Sequence, residues 1–169
     1  MILGVLSDTH GNRTLMVQVA DRMVNELGAE RLIHLGDDYD DAEMLMMMYP
    51  DVWAVPGLWC AAYRDGRTPK RIREQLDGLC IVAAHADQDL PPIDSQTHLV
   101  LTGHTHRAEI AWSPPVLRVN PGHLKRPVDR GEAASFAMVH IEPGRLYTAI
   151  YEVDGILRKE VDVDRTKNA

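Results

Sequence analysis

The sequence predicts an α/β fold, a largely parallel sheet with a second, mixed sheet packed on it. In the first third of the chain, strand-length apolar runs alternate with helical patterns in the order βαβαβ. After that, strand-length runs follow one another, with hairpin signals at Asp77-Gly78 and Asp154-Gly155. The 169 residues are 45% hydrophobic and 25% charged, ordinary values for a globular chain. With no linker or repeat, one domain over residues 1–169 is the economical reading.

Residues 2–7 are an apolar run suited to a buried strand, followed by the polar loop Asp8-Thr9-His10-Gly11-Asn12. Leu15, Met16, Val19, Ala20, Met23 and Leu27 recur on one helical face, and Gly28 is a stop signal. Residues 31–35 form a second strand closed by Gly36-Asp37-Asp38, residues 41–48 a helix, and residues 52–55 a third strand ending at Pro56-Gly57. This order predicts parallel strands joined by right-handed crossovers. Residues 72–76 and 79–84 flank Asp77-Gly78, residues 99–102 make a short strand, and residues 108–112 and 116–119 flank Ser113-Pro114-Pro115. The tail adds strands at 135–141, 146–153 and 156–161. All strands after the third are assigned to the second sheet.

A formal net charge of -7 argues against nucleic acid as the main partner, because phosphate backbones need clustered Lys and Arg. No apolar run reaches the roughly 18 residues of a membrane span, and residues 1–6 are too short for a signal peptide and lack a basic flank. Cys60 and Cys80 have no metal or redox spacing. A reduced, cytoplasmic protein is expected.

Four polar clusters fall where strands should end: Asp8-Thr9-His10, Gly36-Asp37, His85, and Gly103-His104-Thr105-His106. Open α/β sheets gather ligand sites at the carboxyl ends of their strands, so these clusters can converge. Asp and His together suit Mn, Fe, Zn or Ni. On an extended segment, Asp-x-His and His-x-His each put both side chains on one side, so two such pairs could grip a cation from opposite flanks. Asp8 and Asp37 brought together without a cation would repel, and one would protonate. Taken singly, each cluster has a plainer reading: a capped loop, a turn, an interior histidine or a surface pair. Their joint order carries the metal reading.

In that order, "SDTHGN", "HLGD", "AAH", "TGHTH" and "NPG" resemble the calcineurin-like metallophosphoesterases, most closely the small bacterial and archaeal phosphodiesterases, over residues 2–122. The resemblance implies a four-layer sandwich of two mixed β-sheets flanked by helices, with a two-metal centre between loops. Asp8, His10 and His106 would hold one divalent ion, His85 and His104 the other, and Asp37 would bridge them. His10, Asp37 and His104 would be catalytic, and Asn120 would support the site without touching metal. The implied reaction is hydrolysis of a phosphodiester or small phosphate ester by in-line attack of a hydroxide bridging two ions about 3.5 to 4 Å apart. Small relatives are often homo-oligomers, so a dimer or larger assembly is expected.

The chain departs from the family pattern after its third strand. The family has Gly-Asn there; this chain has Gly57-Leu58-Trp59-Cys60. Leu58 stands where an amide should reach the second metal, and Trp59 where some relatives carry histidine. The family's His-Gly-His is His85-Ala86-Asp87 here. The second metal is therefore expected to bind weakly, with Asp87, Asp38 or water as substitute and Asp87 favoured. The alternative function is a catalytically weakened scaffold or regulatory protein on the same frame, binding one metal or none.

Other features take plainer readings. Met44 to Met48 are expected to pack in the core or a subunit contact. His34, His98, His123 and His140 are not expected to be ligands, Lys70, Arg71 and Arg73 read as a solvated strand edge, and Cys60 as an incidental thiol.

Overall fold

The computed structural model describes residues 1–167. Its elements are β1 (Ile2–Leu6), α1 (Arg13–Asn25), β2 (Arg31–His34), α2 (Tyr39–Met48), β3 (Val52–Ala54), α3 (Ala61–Arg64), β4 (Arg71–Leu76), β5 (Leu79–Ala84), β6 (Thr97–Leu101), β7 (Ala108–Ser113), β8 (Val116–Pro121), β9 (Val128–Asp129), β10 (Glu132–Ala133), β11 (Ser135–Glu142), β12 (Arg145–Glu152) and β13 (Leu157–Asp164). They form two mixed sheets with flanking helices, ordered β13-β12-β11-β1-β2-β3 and β4-β5-β6-β8-β7, plus the β9–β10 hairpin.

The βαβαβ reading holds, with β1, β2 and β3 parallel neighbours. Asn12 caps α1 by accepting from the Leu15 amide, which satisfies a helix-end donor. Asp77 and Gly78, both at positive φ, turn β4 into β5 as the dipeptide predicts.

The tail strands correct the sequence reading. They belong to the first sheet, where β11 lies antiparallel to β1 from Ile2↔His140 to Val5↔Ala137. The crossovers β1-β2-β3 all run to one side, so the other edge of the buried strand β1 would be left with unpaired amides. The tail closes that edge. Apolar patterning identifies strands but not their partners, so it could not separate the two sheets.

Leu3, Val5, Ile33, Leu35 and Val55 from the first sheet meet Leu79, Ile81, Leu99, Leu101, Leu117 and Val119 from the second in the core between sheets. Met16, Val19, Ala20 and Met23 of α1 cover the first sheet's outer face against Leu6, Leu32, Phe136 and Met138. On the second sheet's outer face Cys80, Val82 and Val100 lie under Leu90 and Val116, a thinner covering. Helix α2 buries only Asp41, Ala42 and Leu45. Met46, Met47 and Met48 are exposed, so the core half of the expectation fails for them, because the inner face of a ten-residue helix has room for few of five consecutive apolar side chains. Arg71 and Arg73 lie exposed on edge strand β4, as the basic run predicts. Among the described residues no helix is long and apolar enough to cross a membrane.

Candidate metal centre

The parallel strands β1, β2, β5, β6 and β8 deliver their carboxyl ends to one rim. Backbone bonds lace the loops there: Asp8 N–H donates to Gly36 O at 2.5 Å, Gly103 N–H to His85 O at 3.0 Å, and Leu124 N–H to Ser7 O at 3.1 Å. Asp8, His10, Asp37 and His106 come together, with one ligand atom from each lying within 4.8 Å of the others. His10 Nε2 is 2.8 Å from Asp37 Oδ2 and 3.1 Å from His106 Nε2, which is itself 3.2 Å from Asp8 Oδ1. On the far side of Asp37, Oδ1 is 3.1 Å from His85 Nε2, and the His85 and His104 rings pack edge to face at 5.0 Å. Asp8, His10, Asp37 and His106 therefore form one group, His85 adjoins it through Asp37, and His104 adjoins His85.

The way the loops achieve this differs from the expected extended geometry. Asp8, His10, His104 and His106 all have positive φ, between 48° and 67°. Non-glycine residues adopt that region at a cost, and it is concentrated at functional sites. The i,i+2 pairs sit on tight left-handed turns. His104 and His106 diverge, one toward His85 and the other toward Asp8 and His10.

Hydrogen bonds fix the faces presented. Asp8 Oδ2 accepts from Ser7 Oγ at 2.5 Å and from the His104 amide at 2.9 Å, leaving buried Oδ1 without a hydrogen bond. His85 Nδ1–H donates to Leu35 O at 2.6 Å, so the neutral ring turns its Nε2 lone pair to Asp37. His106 Nδ1–H donates to Asp129 Oδ2 at 2.6 Å, so its Nε2 lone pair turns to Asp8 and His10. Acceptors thus face acceptors, and one His10 proton cannot serve both Asp37 and His106. Buried Asp8 Oδ1, Asp37 Oδ1 and His85 Nε2 have no hydrogen-bond partner. A divalent cation resolves this arrangement, and the donor set suits one.

In the protein alone, protons partly take the cation's place. Burial would raise Asp37, but the imidazoles of His10 and His85 beside it outweigh burial and hold the carboxyl well below its usual range. Burial would lower His85, yet Asp37 and Asp8 raise it. The neighbouring Asp8 carboxylate raises His106 most, ahead of the opposing effect of burial.

Three glycines allow the close approach. A Cβ on Gly103 would meet Ser7 Oγ at 2.0 Å and Asp8 Oδ2 at 2.8 Å; on Gly36 it would meet His85 Nδ1 at 2.5 Å; on Gly57, Asp37 Oδ1 at 2.4 Å. The turn after β3 therefore presses on Asp37, and Gly57 N–H donates to Asp37 O at 3.1 Å.

Sequence reasoning missed two supporting carboxylates. Asp129, in the unforeseen β9–β10 hairpin, orients His106 and is held by Arg126; that guanidinium and His106 keep its carboxyl low. Buried Asp41 accepts from Thr9 Oγ1 at 2.7 Å, Gly11 N–H at 2.9 Å and Arg13 Nε at 2.8 Å. Thr9 also meets His34 Nε2 at 3.2 Å, while His34 Nδ1 accepts from Gly36 N–H at the same distance. His34 thus supports the loops, and burial pushes its pKa down to about 4. The only local hint of Asp41 was its place in the acidic run after Gly36; Asp129 had none.

Asn120 donates to Gly103 O at 2.8 Å and Thr105 Oγ1 at 3.1 Å and accepts from Gly122 N–H, pinning the histidine loop from behind. Asp87 lies outside the four-residue group and lines an open cavity beside His104. Its side chain is 78% exposed, paired with Arg118 at 3.4 Å. His98 accepts from the Cys80 amide, and His140 packs on Tyr147. His123 lies ring to ring with His106 at 5.3 Å, and its buried Nδ1 lacks a hydrogen-bond partner.

An aligned carboxylate behind a metal-facing histidine typically contributes about 10- to 100-fold in affinity or activity. Asp129→Asn is therefore expected to weaken metal binding by about that factor, with activity recovering at high metal concentration. Metal titration of activity checks this; a loss that excess metal does not reduce would contradict it.

A family model for the calcineurin-like phosphoesterase superfamily domain matches residues 1–144. The fold is similar to that of Yfce, a phosphoesterase from E. coli, at 21% identity and a TM-score of 0.74, covering 95% of this chain and 98% of that one. It is similar to an archaeal phosphodiesterase at 18% identity and a TM-score of 0.66, covering 96% and 100%. It is also similar to zinc-bound Vps29 from Entamoeba histolytica at 19% identity and a TM-score of 0.69, covering 96% and 99%. At these identities the likeness is one of fold. No curated protein matches the sequence.

Proposed function

The chain belongs to the calcineurin-like phosphoesterase superfamily, and from that premise we propose that it is a metal-dependent phosphoesterase, acting on phosphodiesters or small phosphate esters. The observation that carries the reading is the set of buried acceptors turned on one another around Asp37. A structural protein gains nothing from burying such groups unpaired.

Asp8, His10, Asp37 and His106 would hold one ion, and Asp37, His85 and His104 a second. Bound there, divalent ions supply Lewis acidity toward phosphoryl oxygens and acidify a water nucleophile. The chain's own part is positioning. Leu35 O and Asp129 fix the tautomers of His85 and His106, so both Nε2 atoms stay free to bind. Ser7 and the His104 amide hold Asp8 by one oxygen. His10 and His104 are the exposed members of the set, so they face an incoming ester. A cytoplasmic location and a homo-oligomer remain part of the proposal on the grounds of composition and family resemblance.

The test is hydrolysis of bis(p-nitrophenyl) phosphate and p-nitrophenyl phosphate with Mn, Ni, Zn or Mg. Turnover well above a His106→Ala control is expected with at least one metal, and none above it would contradict the proposal. A second reading, a scaffold with weakened catalysis, is favoured by Leu58, which brings no lone pair to the position of the family's amide. Leu58→Asn is expected to raise activity at limiting metal by about 10-fold or more, the usual worth of a ligand-shell partner. Equal activity at every metal concentration would separate Leu58 from metal binding.

A further inference from the structure

Trp59 is the unused side chain beside the candidate centre. Of the three tryptophans, Trp53 lies under the Arg31 guanidinium at 4.0 Å and Trp112 packs on the core between the sheets. Trp59 is 76% exposed, and among the described residues its ring makes no hydrogen bond or ring contact. It lines a cavity of about 150 Å³ together with His10, Asp37, Asp38 and Cys60. The turn that carries Trp59 is held rigidly: Gly57 N–H donates to Asp37 O, and Cys60 donates to Gly57 O through both its N–H, at 3.2 Å, and its Sγ, at 3.1 Å. The backbone that carries the ring is therefore tied to Asp37 before any ligand arrives, which keeps Trp59 at the rim of the site.

We propose that Trp59 is a specificity-determining residue that stacks the aromatic part of the substrate, so that the substrate class is a phosphate ester carrying a nucleobase or similar ring. This rests on the phosphoesterase reading for the seat of the phosphoryl group. The cavity joins groups suited to a metal-held phosphate with an aromatic face, and a nucleotide presents a phosphate and a ring on one molecule. Asp38, on the same wall, disfavours a second anionic group there and favours a neutral ring. Stacking on an aromatic side chain is worth roughly 5- to 150-fold in affinity per base and tolerates any base, since every base has a π-face.

The experiment compares binding of AMP and ribose 5-phosphate to the Mn-loaded chain by isothermal titration calorimetry. The two share phosphate and sugar and differ by the adenine. AMP is expected to bind at least about fivefold more tightly in the wild type and in Trp59→Phe, with the preference lost in Trp59→Leu. Trp59 is exposed, so the variants should keep the wild-type circular dichroism. Equal affinities in the wild type, no binding of either ligand, or a preference that survives Trp59→Leu would overturn the proposal. A change in oligomeric state in Trp59→Leu with the preference intact would also overturn it, making the ring a contact between copies. Failure of the phosphoesterase reading is a separate result: no turnover of any ester, whichever ligand binds better.

Discussion

Asp37→Asn lowers kcat/KM for ester hydrolysis by at least about 100-fold while leaving the fold intact. Supporting groups alone are typically worth about 10- to 100-fold, and Asp37 places an imidazole against each of its carboxylate oxygens. Its Oδ2 meets His10 at 2.8 Å and its Oδ1 meets His85 at 3.1 Å. Asparagine keeps the shape, loses the charge, and turns a donor toward one imidazole. The metal-free chain gives an independent reading. Burial works to raise Asp37, and the neighbouring imidazoles of His10 and His85 overcome it, so its pKa in the folded chain is depressed. A depressed carboxyl contributes stability that is present above its ordinary value of 3.8 and lost as pH falls below it. The wild type should therefore unfold at higher temperature than Asp37→Asn near neutral pH, with the gap narrowing below about pH 4. Steady-state kinetics and thermal melts at several pH values check both parts. Near-wild-type turnover would remove Asp37 from the mechanism.

Gly57→Ala destabilises the chain far more than a one-carbon change ordinarily does. The added Cβ would lie 2.4 Å from Asp37 Oδ1 and 2.5 Å from both Asp37 Cα and Asp37 O. Two of those atoms are backbone, so a side-chain rotation does not relieve the overlap. Overpacking typically costs about 1 to 3 kcal/mol, and this site belongs at the upper end or beyond. At roughly 2 to 4 °C per kcal/mol for a chain of this size, the melting temperature should fall by about 10 °C. Activity should fall with it, because relief requires the turn to move off Asp37. Leu58→Ala, one residue on and at a partly exposed position, should shift the midpoint by far less. Equal midpoints for Gly57→Ala and the wild type would show that the turn does not press on Asp37.

The sequence made the first half of the fold and the membership of the site readable for one physical reason. Parallel strands buried on both faces appear as apolar runs, and their carboxyl ends are marked where polar residues interrupt them. Asp8, Asp37, His85, His104 and His106 all stand at such interruptions, and they converge. What stayed hidden depends on long-range pairing or backbone conformation. The tail strands joined the first sheet because β1 had an open edge, and no residue pattern records an edge. The positive φ at Asp8, His10, His104 and His106 falls on residues other than glycine, so their identities do not announce it. Asp129 reaches His106 from a hairpin whose strands are two residues each, too short for a periodic signal. Asp87 looked well placed two residues beyond His85, but it lies in a 3-10 turn that carries it out to Arg118. The strand-like spacing behind that expectation did not apply there. The turn at 57–60 is a mixed case. Its approach to the site could be read from β3, but its bond to Asp37 is made by the backbone of Gly57, which has no side chain at all.

Metal analysis of the chain is the most direct test of the central claim, that the cluster around Asp37 binds divalent cations. Wild-type protein is saturated with Mn, freed of excess by gel filtration and assayed by mass spectrometry for metal per chain, beside Asp37→Asn. The account predicts at least one retained ion per wild-type chain, with a second, weaker ion at saturation, and loss of retained metal in Asp37→Asn. No retained metal in the wild type, or equal retention in the two proteins, would contradict it.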